Sequence, residues 1–198
     1  MTGIILAGGR NSRMGRDKAS LPWQDSDFLH TILQKLSTVC SELIVVSNTL
    51  RNENIPGVRF VADIIPQRGP LSGIHAGLSL ASSQLSFVTA CDMPYIVPEA
   101  VSYLAAFASG WDVVVPVSNT YLEPLFACYA KNCVPAIEAL FRDNNQRTQA
   151  LFSRVHCRTV PVEALQKFDP TLRLLRNINS PEDYQSALLE SANWTTFN

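Results

Sequence analysis

Five short apolar runs restrict the fold of this chain more than any other feature: "TGIILA" (Thr2–Ala7), "ELIVVS" (Glu42–Ser47), "VRFVA" (Val58–Ala62), "LSFVTA" (Leu85–Ala90) and "DVVVPV" (Asp112–Val117). None alternates polar with apolar residues, so each reads as a strand covered on both faces. Between them lie segments of helical period. Phe28–Cys40 carries apolar Leu29, Ile32, Leu33 and Leu36; Leu71–Ser82 follows; Pro98–Ala108 opens with Pro98 and Glu99 in its first turn. Strand and helix in turn predict right-handed βαβ crossovers. The expected class is α/β, with a three-layer, doubly wound, mostly parallel sheet.

Past Val117 the pattern is mixed. Glu123–Ala130 reads as a strand and Cys133–Phe141 as a helix; the polar stretch Arg142–Gln149 breaks the period, and Cys157–Val162 supplies a last strand. Ser180 caps a final helix that has Pro181 at its first position and Glu182 and Asp183 at its positive end. With 198 residues and no repeat, low-complexity tract or linker, a single domain over residues 1–198 is expected. A net charge of −1 supplies no general attraction to nucleic acid or an anionic membrane, so neither is an expected partner. Five cysteines, odd in number and without a C-x-x-C pair, argue against a disulfide framework and a zinc site. His30, His75 and His156 show no metal spacing. The absence of a basic leader or an apolar run of about 18 residues points to a soluble cytoplasmic protein.

Any affinity for anions must then be local, and one stretch supplies it. "LAGGRNSRMGRDKAS" (Leu6–Ser20) follows the first apolar run and places Arg10, Arg13, Arg16 and Lys18 within nine residues, offset by Asp17 alone. In a doubly wound sheet, ligands sit beyond the carboxyl ends of the strands, and the first loop is the usual phosphate site. Gly8 and Gly9 let successive amides turn toward phosphate oxygens. The loop is neither a G-x-G-x-x-G fingerprint nor a P-loop, since five residues separate Gly9 from Gly15 and Arg16 follows. A polyphosphate clamp fits it; so does a solvated, charged turn.

The pattern L-A-G-G-x-S-x-R-M-G-x-D-K over Leu6–Lys18 resembles the signature loop of the nucleotidyltransferases, and in particular of the molybdenum cofactor guanylyltransferases. Further matches come in order: "VSN" (Val46–Asn48), "AD" (Ala62–Asp63), "RGPLSGI" (Arg68–Ile74), "CDMPY" (Cys91–Tyr95), "EPLFACY" (Glu123–Tyr129) and "NINSPEDY" (Asn177–Tyr184). The double glycine favours the guanylyl branch over cytidylyl relatives with L-A-A-G. The resemblance implies a Rossmann-like nucleotidyltransferase fold and transfer of GMP from GTP to molybdopterin carrying molybdenum, with release of pyrophosphate. It also implies that Leu6, Ala7 and Gly8 contact the nucleotide, Lys18 the phosphates, Asn48 and Asp63 the guanosine, Asp92 a Mg²⁺ ion, and Asn177 and Asn179 the acceptor. Transient contact with proteins that deliver molybdopterin or mature molybdoenzymes follows from the same resemblance. Some members carry a His-Pro pair where this chain has Glu123-Pro124, and no duty is assigned to Glu123.

Nucleotidyl transfer brings together two anionic reactants, so its catalysis is positioning and charge neutralisation, with no covalent intermediate and no general base needed. Arg13 and Lys18 are the candidates for the charge on the leaving pyrophosphate. Asp92, just beyond the run Leu85–Ala90, is placed to hold Mg²⁺ together with substrate phosphates. Gly69 and Gly73 in "RGPLSGIHAGL" leave room for a flat base against the main chain, or else form a tightly packed helix start. Asp63 is suited to accept from guanine N1–H and N2–H₂. Two other functions stay open: a cytidylyl- or sugar-phosphate nucleotidyltransferase, and a non-catalytic nucleotide-binding module.

Overall fold

Thr2–Leu6 forms β1, buried at every position and hydrogen-bonded on both sides to parallel neighbours, β4 (Glu42–Val46) and β6 (Leu85–Ala90). Alternate residues of such a strand point to opposite faces. Ile5 accordingly joins one apolar cluster and Ile4 and Leu6 the other, which is why the run cannot alternate with polar residues. The computed structural model describes residues 1–8, 18–49, 55–66 and 69–194, apart from the side chains of Lys18 and residues 191–194.

Around β1 the sheet continues with β5 (Val58–Val61), β7 (Val113–Ser118), β8 (Tyr121–Leu122), β9 (Phe126–Ala130) and β10 (Cys157–Pro161), in the order β10-β7-β9-β6-β1-β4-β5, with β8 pairing β7. Helices α1 (Phe28–Ser37) and α3 (Pro98–Ala105) cover one face; α2 (Pro70–Leu80) and α4 (Cys133–Arg142) cover the other. This is the mostly parallel, doubly wound arrangement expected. Three strands depart from the simple pattern. β9 runs antiparallel to both β6 and β7, β8 antiparallel to β7, and β5, at the edge, is only half-buried. Helices α1, α2 and α3 end two or three residues earlier than the periodicity suggests and α4 one residue later, a span over which end frays and turns decide the boundary.

Close contact between α2 and β1 explains the glycines of α2. A Cβ at Gly73 would lie 2.9 Å from Leu6 Cδ2, and one at Gly77 would lie 2.5 Å from Ile4 Cγ2. The helix therefore rests on the strand through bare backbone. Gly73 belongs to that packing rather than to an open base-binding surface, which corrects the expectation for this position; the alternative of a tightly packed helix start holds.

A hairpin of β2 (Pro22–Trp23) and β3 (Ser26–Asp27) leads into α1, whose first turn is capped by the Asp27 carboxylate accepting from the His30 amide at 2.8 Å. The hairpin is fastened to α5 (Pro181–Trp194) by a separate aromatic cluster. Trp23, 2 % exposed, meets Phe28 and Tyr95 edge-on, Phe28 meets Tyr184, and the Tyr184 hydroxyl donates to the Pro22 carbonyl at 2.6 Å. The α5 start follows its sequence signal: the Asp183 amide donates to Ser180 Oγ, and the Ser180 amide donates back to the Asp183 carboxylate. Among the described residues, no helix is long and apolar enough to cross a membrane.

Candidate active site

All the parallel strands end at one edge of the sheet, and their loops meet there. The Ala7 amide donates to the Val46 carbonyl (2.8 Å), and the Cys91 amide donates to the Leu6 carbonyl (3.0 Å). Ser47 Oγ donates to the Ala7 carbonyl at 3.1 Å, and the Ser47 amide donates to Val61. Polar groups buried at this depth need partners, so four strand ends are tied into one rigid rim. At Leu6 and Ala7 the main chain is spent on holding that rim. Gly8 is the first exposed residue beyond it, and a Cβ there would meet nothing within 4 Å. Gly9, Arg10, Arg13 and Arg16 lie outside the described residues, as does the Lys18 side chain; Lys18–Ser20 forms a short 3-10 helix.

Asp92 lies two residues beyond the β6 end that pairs with Leu6 across Ala90. Its carbonyl accepts from the Ile178 amide at 2.9 Å, a link across more than eighty residues of sequence. The turn that follows is closed by the Met93 amide on the Ala90 carbonyl. Beneath it, Lys35 Nζ donates to the Pro94 carbonyl at 2.9 Å. Burial lowers the Lys35 pKa, as expected for an ammonium group held under a loop. The main chain at Asp92 is thus tied between the end of β1 and the segment carrying Asn177 and Asn179. Both asparagines are exposed and flank fully buried Ile178. The Asn179 amide donates to Asp183 at 3.1 Å.

Asn48 and Asp63 form a reciprocal pair. Asn48 Nδ2 donates to the Asp63 carboxylate at 2.7 Å, while the Asp63 amide donates to Asn48 Oδ1 at 3.0 Å. One amide side chain thereby sets both the backbone and the carboxylate of Asp63, leaving further acceptor sites on its oxygens. Gly69, with φ 63° and no neighbour within 4 Å of a Cβ, opens α2 on the same side. Ile64, 51 % exposed, stands beside Asp63.

Glu123 reaches this edge from the other direction. Thr89 pairs with Phe126 in the antiparallel β6–β9 ladder, so Asp92 and Glu123 leave that ladder at equal distance from its last pair. Half-buried, Glu123 has its carboxyl pKa pushed up by desolvation. Sequence reasoning gave Ser47, Lys35 and Ile178 no place here. Ser47 and Ile178 carried a positional signal, beside Asn48 and between Asn177 and Asn179; Lys35 carried none.

A family model described as the MobA-like NTP transferase domain matches residues 3–159. The chain belongs to that family. A probable molybdenum cofactor guanylyltransferase of Pelotomaculum thermopropionicum is 37% identical over 98% of this chain and 95% of its own. Another from Methanosarcina mazei is also 37% identical, over 93% of this chain and 88% of its own. Among solved structures, the molybdopterin-guanine dinucleotide biosynthesis protein A of Archaeoglobus fulgidus superposes with a TM-score of 0.83 at 27% identity, over 98% of this chain and 100% of that one. The 2-C-methyl-D-erythritol 4-phosphate cytidylyltransferase of Thermus thermophilus, at 14% identity and a TM-score of 0.70, shares the fold. This MobA-like chain is a nucleotidyltransferase.

Proposed function

We propose that the chain, acting as one domain over residues 1–198, transfers GMP from GTP to molybdenum-bearing molybdopterin and releases pyrophosphate. The observation that carries this reading is the double anchoring of the Asp92 segment: Cys91 is bonded to Leu6 at the glycine turn, and Asp92 is bonded to Ile178 between the two asparagines. Donor nucleotide on one side and acceptor on the other would then share one carboxylate.

On this reading, Gly8 and Gly9 with the amides beyond them cradle the triphosphate, and Arg13 and Lys18 neutralise the charge that builds on pyrophosphate. Asn48 orients Asp63, whose carboxylate accepts from guanine N1–H and N2–H₂, an edge cytosine does not offer. Gly69 leaves the base room beside the main chain. Asn177 and Asn179 meet the acceptor. Asp92 would hold Mg²⁺. Among the described residues no three His, Cys, Asp or Glu side chains gather as a metal-binding group, and a single carboxylate suits an ion whose other ligands are phosphates and water. Bound there, the ion would supply charge neutralisation between the two reactants. No proton need be removed from a phosphate already ionised at neutral pH, so Glu123 is not required as a base.

The test is pyrophosphate release with Mg²⁺ and molybdopterin, one nucleoside triphosphate at a time. GTP alone should support turnover and yield guanylylated product. Turnover with CTP instead would move the chain to the cytidylyl branch; nucleotide binding without transfer to any acceptor would make it a binding module.

A further inference from the structure

A strained turn, Asp169 to Arg173, comes shortly before Ile178 in the chain. Asp169 is buried, and its carboxylate accepts from the Thr171 amide (3.2 Å), the Thr171 hydroxyl (2.8 Å) and the Leu174 amide (2.9 Å), while its carbonyl accepts from the Leu172 amide (2.9 Å). Held this way, Leu172 takes the left-handed conformation at φ 55° without being glycine. Such a conformation persists only where its surroundings over-determine it, and it concentrates at ligand sites. The turn sets Thr171, Leu172 and Arg173 on the wall of an open cleft of about 450 Å³ that Arg176 and Glu190 complete. This is a volume suited to a small molecule.

The chemistry of that wall is specific. Arg176 Nη1 donates to both Glu190 oxygens, at 2.8 and 3.1 Å, and this pairing raises the Arg176 pKa and lowers that of Glu190. The Arg173 guanidinium carbon lies 5.5 Å from the Tyr95 ring centroid. Burial, followed by the charge of Glu190, pushes the Tyr95 hydroxyl up to about 12, so it stays protonated. A carboxylate beside a guanidinium presents two acceptors and then a donor. The complementary edge is donor, donor, acceptor, which is what a 2-amino-4-oxopyrimidine presents through its amino group, ring N–H and carbonyl. A second guanidinium nearby can stack on a flat ring. Because the Arg176–Glu190 pair is about one-third exposed, loosening it to admit a ligand costs little.

We propose that this cavity seats the fused 2-amino-4-oxopyrimidine ring of the acceptor, Glu190 taking the paired N–H donors, Arg176 the carbonyl, and Arg173 the ring face. The assignment rests on the acceptor of the proposed function being a pterin. Arg176 precedes Ile178 by two residues, about 7 Å of extended chain, so a ring seated here leaves its phosphate arm to run toward Asp92.

Titration of 6-hydroxymethylpterin by its own fluorescence tests this, with GTP and Mg²⁺ saturating so that the guanine site is filled. The intact chain should bind the pterin and bind lumazine, which has an oxo group in place of the amino group, at least tenfold more weakly. Glu190→Gln, which keeps the shape of the side chain, should lose tenfold or more in pterin affinity, and Arg173→Ala several-fold, both with unchanged GTP affinity and unchanged thermal melting. Equal pterin affinity in the intact chain and Glu190→Gln, or no pterin binding at all, would overturn the assignment. The two proposals fail separately. Pterin binding that obeys this pattern without nucleotidyl transfer would remove the proposed reaction and keep the cavity. Guanylyl transfer with an unchanged acceptor KM in Glu190→Gln would remove the cavity and keep the reaction.

Discussion

The two ends of the central sheet are built by different means. At the amino ends, side chains close on one another: Glu42 accepts from the Thr2 hydroxyl (2.7 Å), the Ser82 amide (2.9 Å) and the Ser82 hydroxyl (2.7 Å), with Arg59 at 3.3 Å. Burial pulls the Glu42 carboxyl upward, but these partners outweigh it and hold the pKa below its usual value. At the carboxyl ends the fixing is mainly by main chain. Leu6, Ala7, Cys91, Asp92 and Ile178 are tied by amides and carbonyls, with Ser47 and Lys35 as side-chain props. A side-chain network consumes charge to gain stability. A main-chain rim fixes the backbone of the segment that carries Asp92. On the proposed function, the same strands carry a closed end and a working end.

Substitutions at the two ends should therefore separate activity from stability. The largest effect belongs to Asp92→Asn, for which turnover should fall on the order of 10³-fold, the scale for losing one preorganised charge at a reacting centre, with melting nearly unchanged. Pyrophosphate release beside a calorimetric scan measures both.

Glu42→Ala should do the reverse. Leaving the buried Thr2 hydroxyl short of an acceptor costs about 1–2 kcal/mol, seen as a lower urea midpoint, with kcat retained in the folded fraction. The pH dependence has a definite sign. Because the folded-state pKa of Glu42 is lowered, its contribution is present above the unfolded glutamate pKa and is lost as pH falls through the folded value. Urea midpoints of the intact chain should thus fall on the acid side, and the drop should be smaller in Glu42→Ala.

Between the two ends, Gly77→Ala sharpens the contrast. It drives a methyl group into fully buried Ile4 and should cost about 1–3 kcal/mol by overpacking. Ala at Gly69 is open in space but meets a positive φ, so it strains the start of α2 instead. The smallest expected effect is that of Lys35→Met. It removes a partly desolvated charge, so stability changes little, but the Pro94 carbonyl loses its donor and the Asp92 turn loosens. A rise of several-fold in the Mg²⁺ concentration needed for half-maximal rate, with a smaller change in kcat, is the expected outcome, and Lys35→Arg should restore most of it.

How much of this was legible in the chain itself follows from what each signal depends on. Buried parallel strands announce themselves because both faces need apolar residues, and β1, β4, β6 and β7 match their runs closely. The α5 cap is local chemistry between Ser180 and Asp183 and was equally readable. The direction of β9 was not, since five apolar residues carry no polarity of their own. Gly73 suggested space for a base because a glycine shows only that something lies near its backbone; that the neighbour is Leu6 is a tertiary fact. The Asp92–Ile178 link and the Arg176–Glu190 pair depend on segments brought together by the fold, so no window along the sequence contains them. The place of Asp92 just beyond β6 was readable because it follows from the strand.

A crystal structure with a non-hydrolysable GTP analogue and Mn²⁺ is the most direct test. The ion should appear on the Asp92 carboxylate and on phosphate oxygens, with the guanine edge against Asp63 and the ribose side near Gly69. An ion bound away from Asp92, or a base seated at another edge of the sheet, would contradict the working end described above.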